Sequence, residues 1–178
     1  MCGFAALVNS DPARDATMRR MLQALRHRGP DGEGIYGDAR ATLGHRRLSI
    51  IDLAGGAQPL QSPDGTIQLV ANGEIYNYRE LRRDLEQRGH RFLTNSDCEL
   101  IIALYQRYRD GLFKHLRGMF AFALWDAKER RLLAARDHLG QKPLYYRFDE
   151  QGFACASEIK ALLAQDTRAP RMNLATRS

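Results

Sequence analysis

Cysteine is scarce in this chain: three residues among 178, Cys2, Cys98 and Cys155, widely separated and odd in number. With no C-x-x-C pair and no Cys/His cluster, neither a disulfide framework nor a zinc site of ordinary spacing is expected, and a reducing, cytoplasmic setting is indicated. No segment approaches the roughly 18 apolar residues of a membrane span. The apolar start, residues 3–8, is too short for a signal peptide and has no basic stretch before it. Internal repeats and low-complexity tracts are missing too. The formal net charge is +6, yet no basic stripe interleaved with aromatics is present. Arginines alternate with acids, as in Arg79-Glu80-Leu81-Arg82-Arg83-Asp84-Leu85-Glu86, the pattern of a solvated helix face and not of a nucleic-acid surface. The basicity is a surface property that favours acidic partners. The five histidines, His27, His45, His90, His115 and His138, show no metal-ligand spacing and no obvious nucleophile–base pair.

What remains is an ordinary globular composition, 44% hydrophobic and 27% charged, on a chain long enough for one domain with a proper core. Residues 3–9 read as a buried strand. Met18, Met21, Leu22 and Leu25 fall at helical spacing, ahead of a Gly/Pro loop at Arg28-Gly29-Pro30-Asp31-Gly32. Residues 42–51 read as a strand, 54–65 as irregular, and Ile67, Leu69 and Ala71 mark a strand leading into Asn72-Gly73. Asn77 with Glu80 suggests a helix start and Gly89 its stop; Ser96-Asp97-Cys98-Glu99 fits a capping box opening a second helix. Four closely spaced strand candidates, 119–125, 131–136, 143–148 and 153–157, read as an antiparallel meander before a short helix over 158–164. Strands and helices cluster instead of alternating, which predicts an α+β fold with largely antiparallel sheets. The domain is expected over residues 1–164, with 165–178 a loosely ordered tail.

The chemistry concentrates at the second residue. A methionine followed by a residue as small as cysteine is normally trimmed, which would leave Cys2 with a thiol and a free α-amine. Such an amine has an unperturbed pKa of about 7.7–8.0, so part of it is a free base near neutral pH. One residue could then be nucleophile and base together. The competing reading is a small apolar residue opening a buried strand. Asn72-Gly73 offers a side-chain NH2 beside a glycine N–H, donors for a developing oxyanion, and a glycine lets a ligand approach closely; it is also a common type I′ hairpin turn. Arg47 has the planar fork for a carboxylate, or is a surface arginine on an edge strand. Asp97 could neutralise an ammonium group, or simply favour a helix's first turn.

Taken together, several stretches resemble the N-terminal glutaminase domain of glutamine-hydrolysing asparagine synthetases, class II amidotransferases of the N-terminal-nucleophile hydrolase type. They are Met1-Cys2-Gly3, Arg26-His27-Arg28-Gly29-Pro30-Asp31, Arg47-Leu48-Ser49-Ile50-Ile51-Asp52, Gln58-Pro59-Leu60, Asn72-Gly73-Glu74-Ile75-Tyr76-Asn77 and Ser96-Asp97-Cys98-Glu99. The resemblance continues through Gly118-Met119-Phe120-Ala121, Arg136-Asp137-His138-Leu139-Gly140, Pro143-Leu144-Tyr145-Tyr146 and Ala156-Ser157-Glu158-Ile159-Lys160. It implies a four-layer αββα sandwich of two antiparallel sheets. It also implies that Cys2 attacks the glutamine side-chain amide through a thioester, with its own α-amine shuttling the proton. Asn72 and Gly73 would form the oxyanion hole, Arg47 would hold the substrate carboxylate, Asp97 and Glu74 would lie near its α-amine, and Ile50 and Ile51 would add backbone contacts.

Two features depart from that family. The opening reads Cys2-Gly3-Phe4-Ala5-Ala6 instead of Cys-Gly-Ile-Ala/Phe-Gly, and the Ser-Gly-Gly-x-Asp-Ser loop of the synthetase domain does not occur. The expectation is a glutaminase half serving a synthetase-like domain or subunit, with no cofactor of its own; ATP and Mg²⁺ are implied only for that other part. The alternatives are an amidotransferase domain feeding a different acceptor, such as a sugar phosphate or a natural-product carboxylate, and a non-catalytic remnant acting as an interaction module.

Overall fold

A computed structural model of the chain describes residues 1–48 and 56–166. The apolar run at the N-terminus is continuous because both faces of its strand are covered. In β1 (Gly3–Val8) the first five residues are buried. Successive side chains alternate between faces, so Ala5 and Leu7 join one apolar cluster while Phe4 and Ala6 join another. The first cluster is completed by Met18, Met21 and Leu22 of α1 (Arg14–Ala24) and by Ala161 and Leu162 of α4 (Ile159–Leu163). The second is completed from a separate sheet by Val70, Ala121, Ala123 and Trp125.

The two sheets are antiparallel throughout. One has the order β2-β3-β1-β9-β8, with β2 Gly32–Gly37, β3 Ala41–Arg47, β8 Tyr145–Asp149 and β9 Gly152–Ala156. The other has the order β4-β5-β6-β7, with β4 Leu60–Gln61, β5 Ile67–Ile75, β6 Gly118–Asp126 and β7 Arg131–Arg136. On the outer face of the second sheet, Leu69, Phe120, Phe122 and Leu124 pack with Leu100, Ile101, Leu104 and Tyr105 of α3 (Glu99–Tyr108) and Leu85 of α2 (Tyr78–Gln87). The layers therefore run helix, sheet, sheet, helix, the αββα arrangement the family resemblance implied. Trp125 also ties the sheets through a polar contact, its indole N–H donating to Asp38 at 2.6 Å.

Several local readings are corrected. The strand read as leading into Asn72-Gly73 runs through both, which lie inside β5 paired with Ala121 and Phe120 of β6, so the hairpin alternative falls. The four C-terminal strands are not one meander. β6–β7 and β8–β9 are two hairpins in different sheets, because the turn after β7 crosses from one layer to the other. The Ser96–Glu99 capping box does not form, since no side chain caps α3. Glu99 turns its carboxylate back to the N–H groups of Leu93 and Thr94, at 2.6 and 2.7 Å. The stretch read as irregular contains the two-residue β4, and β2 went unread because its Gly-Glu-Gly-Ile-Tyr-Gly sequence lacks an apolar alternation. Gly89, at φ +87°, does end α2. Gln165 and Asp166 continue the last helical turn, and Asp166 pairs with Arg147 of β8 at 2.8 Å; the rest of the expected tail, 167–178, lies outside the described residues.

Candidate active site

Cys2 sits at the edge of β1, half-buried on the wall of a cavity of about 570 Å³. Backbone and side-chain contacts fix it from both sides. The Arg28 Nε–H donates to its carbonyl at 2.9 Å, and Arg28 is itself held by Glu158 at 3.0 Å. Two residues on, Phe4 donates its N–H to the Ser157 hydroxyl at 3.0 Å and accepts the Ser157 N–H at 2.9 Å. The Leu48 N–H points at the Cys2 sulfur from 3.5 Å, a donor suited to negative charge there.

The other two thiols lack the environment of a nucleophile. Cys155 is fully buried between the sheets, and burial pushes its thiol up to about 12. Cys98, on the cavity wall, is raised by burial and by the neighbouring Asp97 carboxylate, to which it donates. Of the three thiols, Cys2 alone is not fully buried, and it faces the cavity.

β5 supplies the facing wall. Asn72 is 4% exposed, and its side-chain NH2 is buried with no hydrogen-bond partner among the described residues. An orphaned buried donor costs free energy and calls for an explanation; here it borders the cavity that Cys2 shares. Gly73 has a different reason from the one its sequence suggests. A Cβ there would lie 2.2 Å from the Met119 carbonyl oxygen and 2.6 Å from Phe120 Cα, so the glycine is required by the approach of β6 rather than by a ligand. Glu74 borders the cavity and is exposed. Asp97 accepts the Ile75 N–H at 2.7 Å, which braces it against the end of β5. Arg47, the last residue of β3, lines the opposite side, with Gly56 so close that a Cβ there would stand 2.9 Å from a guanidinium nitrogen. Cys2, Arg47, Asn72, Gly73, Glu74 and Asp97 are thus brought around one cavity; Ile50 and Ile51 lie outside the described residues.

The family described as the glutamine amidotransferase domain matches residues 1–176. The chain belongs to that family. Among curated relatives, asparagine synthetase [glutamine-hydrolyzing] 1 of Bacillus subtilis (strain 168) is 44% identical over 168 residues, covering 92% of this chain and 27% of that protein. Asparagine synthetase B of Escherichia coli (strain K12) is 51% identical over 144 residues, covering 80% of this chain and 26% of its own length. The amidotransferase domain thus spans about a quarter of such relatives, 27% and 26% in these two. In fold it matches the solved structure of glutamine phosphoribosylpyrophosphate amidotransferase from B. subtilis, with a TM-score of 0.77 at 22% identity, over 93% of this chain and 43% of that one.

Arg28, Leu48 and Glu158 carry no expected role in the amidotransferase domain's sequence, although all three lie within the stretches that carry the resemblance. Leu48 acts through its backbone, which no side-chain pattern reports. Glu158 is 130 residues from Arg28, so nothing local announces the pair. Burial opposes the Glu158 charge, but Arg28, His27 and Lys160 outweigh it and hold the carboxyl at about 2, so the clamp on Cys2 stays ionised through the neutral range.

His45 forms part of the cavity wall yet is sealed off, 1% exposed, with Nε2 3.2 Å from the Ala71 carbonyl. Burial lowers it from 6.5 to about 4, against the opposing pull of Ala71 and with help from the Arg47 charge. Between those two values the unfolded chain binds the extra proton and the native one does not, so stability rises with pH there. Its contribution is complete above about pH 6.5 and lost toward pH 4. The urea midpoint of the wild type should therefore fall from pH 7 to pH 5 by more than that of His45→Gln; equal falls would remove His45 as the cause.

Proposed function

We propose that this amidotransferase domain hydrolyses glutamine to glutamate and ammonia, and that the ammonia serves asparagine synthesis on a synthetase-type domain or subunit. The observation that carries the reading is the unpartnered buried NH2 of Asn72 in the cavity that holds the Cys2 thiol. Removal of Met1 frees the Cys2 α-amine, which takes the thiol proton as sulfur attacks the side-chain carbonyl carbon of glutamine. The Asn72 NH2 and the Gly73 N–H stabilise the resulting oxyanion, donors that gain most as charge develops. The amine passes its proton to the departing nitrogen, ammonia leaves, and a thioester remains on Cys2. Water, deprotonated by the same amine, then releases glutamate and restores the thiol. Arg47 grips the substrate carboxylate, and Asp97 with Glu74 receives its ammonium group.

Among the described residues no cluster of three or more His, Cys, Asp or Glu side chains is placed to hold a metal ion. ATP and Mg²⁺ belong, on this reading, to the acceptor-activating part. No helix of the described residues is long and apolar enough to cross a membrane. Three unpaired thiols suit a reducing compartment, which supports a cytoplasmic location.

Glutamate release by the purified chain, with Met1 removal checked by intact mass, tests the reading; a correctly trimmed chain that neither binds nor hydrolyses glutamine would sink it. Arg47→Ala should raise the KM for glutamine about 10- to 100-fold, the worth of a lost charge-assisted hydrogen bond, with kcat little changed. An unchanged KM would remove Arg47 from the carboxylate.

A further inference from the structure

The turn between β7 and β8 aims a cation at the start of the chain. Asp137, immediately after β7, is buried, and its carboxylate accepts the N–H groups of Phe120, Leu139, Gln141 and Lys142 at 3.0–3.2 Å. Burial opposes its charge, yet these four donors prevail and hold it below the usual carboxylate range. The turn is thereby pinned, and it carries Lys142 to the cavity wall. Lys142 is 8% exposed, and its ammonium has one side-chain partner among the described residues, the Met1 thioether at 3.3 Å. A thioether is a weak acceptor, and a lysine this buried is normally paired with an acid. Removal of Met1, on the proposed chemistry, takes away even that partner and leaves the α-amine of Cys2 as the nearest chain end. By the covalent reach of one methionine, the ammonium and that amine lie within about 9 Å.

We infer that Lys142 acts through the Cys2 α-amine: its buried positive charge disfavours a second one on the amine and so keeps the proton shuttle in its free-base form at neutral pH. This rests on the proposed glutaminase chemistry. A cation at that separation, in a cavity partly shielded from water, is far less screened than at the surface. The other charged groups at the cavity are Arg47 from β3, Glu74 from β5 and Asp97 ahead of α3; His45 of β3, which burial keeps neutral, Tyr76, Tyr78, Cys98 and the Cys2 thiol itself are its remaining titratable side chains. Arg28 and Glu158 stand behind the Cys2 carbonyl. None of these changes when Lys142 is replaced, so a shift on replacement reports Lys142 itself.

The test compares the pH dependence of kcat/KM for glutamine in wild type, Lys142→Met and Lys142→Arg. Loss of the charge should move the acid limb up by about half to one pH unit, a fall of about three- to tenfold at pH 6.5 that vanishes by pH 9. The arginine variant should keep the wild-type limb. In parallel, ¹³C-labelled cysteine lets the Cys2 Cα signal report amine ionisation without substrate, and the same shift is expected there. An unshifted amine in Lys142→Met overturns the inference, as does a uniform loss at every pH, which would mark Lys142 as a packing or substrate-gripping residue. If the wild type fails to hydrolyse glutamine, the proposed function falls, and the ¹³C titration still decides the role of Lys142.

Discussion

Alanine in place of Cys2 should lower glutamate release from glutamine by at least about 10⁴-fold, with the far-UV circular dichroism unchanged and glutamine binding still measurable by calorimetry. The loss is large because no thioester can form, and neither Cys98 nor Cys155 can substitute, since burial keeps both thiols protonated. The fold should survive because Arg28 and, through Phe4, Ser157 seat residue 2 by its backbone, and the thiol gives up only its weak contacts with Leu48. A chain that retains Met1 should be as inactive as Cys2→Ala, its nitrogen being an amide and no base. Turnover at the wild-type rate from either species would overturn the mechanism.

Asn72→Ala should lower kcat about 10²- to 10³-fold, the usual consequence of removing one oxyanion donor, with a much smaller change in KM. Stability provides the second readout. An asparagine placed for structural reasons forfeits its hydrogen bonds on replacement, but the Asn72 NH2 has no partner among the described residues. Its removal should leave the urea midpoint nearly unchanged, a site group held at the expense of stability. A kcat within twofold of wild type, or a collapse of the midpoint, would return Asn72 to an architectural role.

Much of the fold was legible because its signals are local. The apolar run of β1, the helical spacing of Met18, Met21 and Leu22, and the Gly89 stop are each written within a few residues. β2 was missed for the same reason: its half-buried, glycine-rich sequence carries no apolar alternation, and pairing with β3 defines it. At Asn72-Gly73 the hairpin turn was the weaker alternative, and nine residues of pairing with β6 set it aside; the glycine serves that pairing. At Ser96–Glu99 the capping pattern yields to better donors, because Leu93 and Thr94 offer Glu99 two N–H groups.

By itself the sequence determined which residues this chain has for chemistry: a cysteine at position 2, an arginine at 47, an Asn-Gly at 72 and an acid at 97, along with the local patterns that make an antiparallel α+β fold. Only the tertiary structure decided which sheet each hairpin joins, which thiol stays accessible, and that Leu48, Arg28, Glu158 and Lys142 converge on the first two residues. The physical reason is distance along the chain. Cys2 meets Leu48 across 46 residues and Phe4 meets Ser157 across 153, and periodicities of 2 and 3.6 carry no information about such pairs. They are set when two sheets stack and bury Trp125, Phe4 and Leu43 between them.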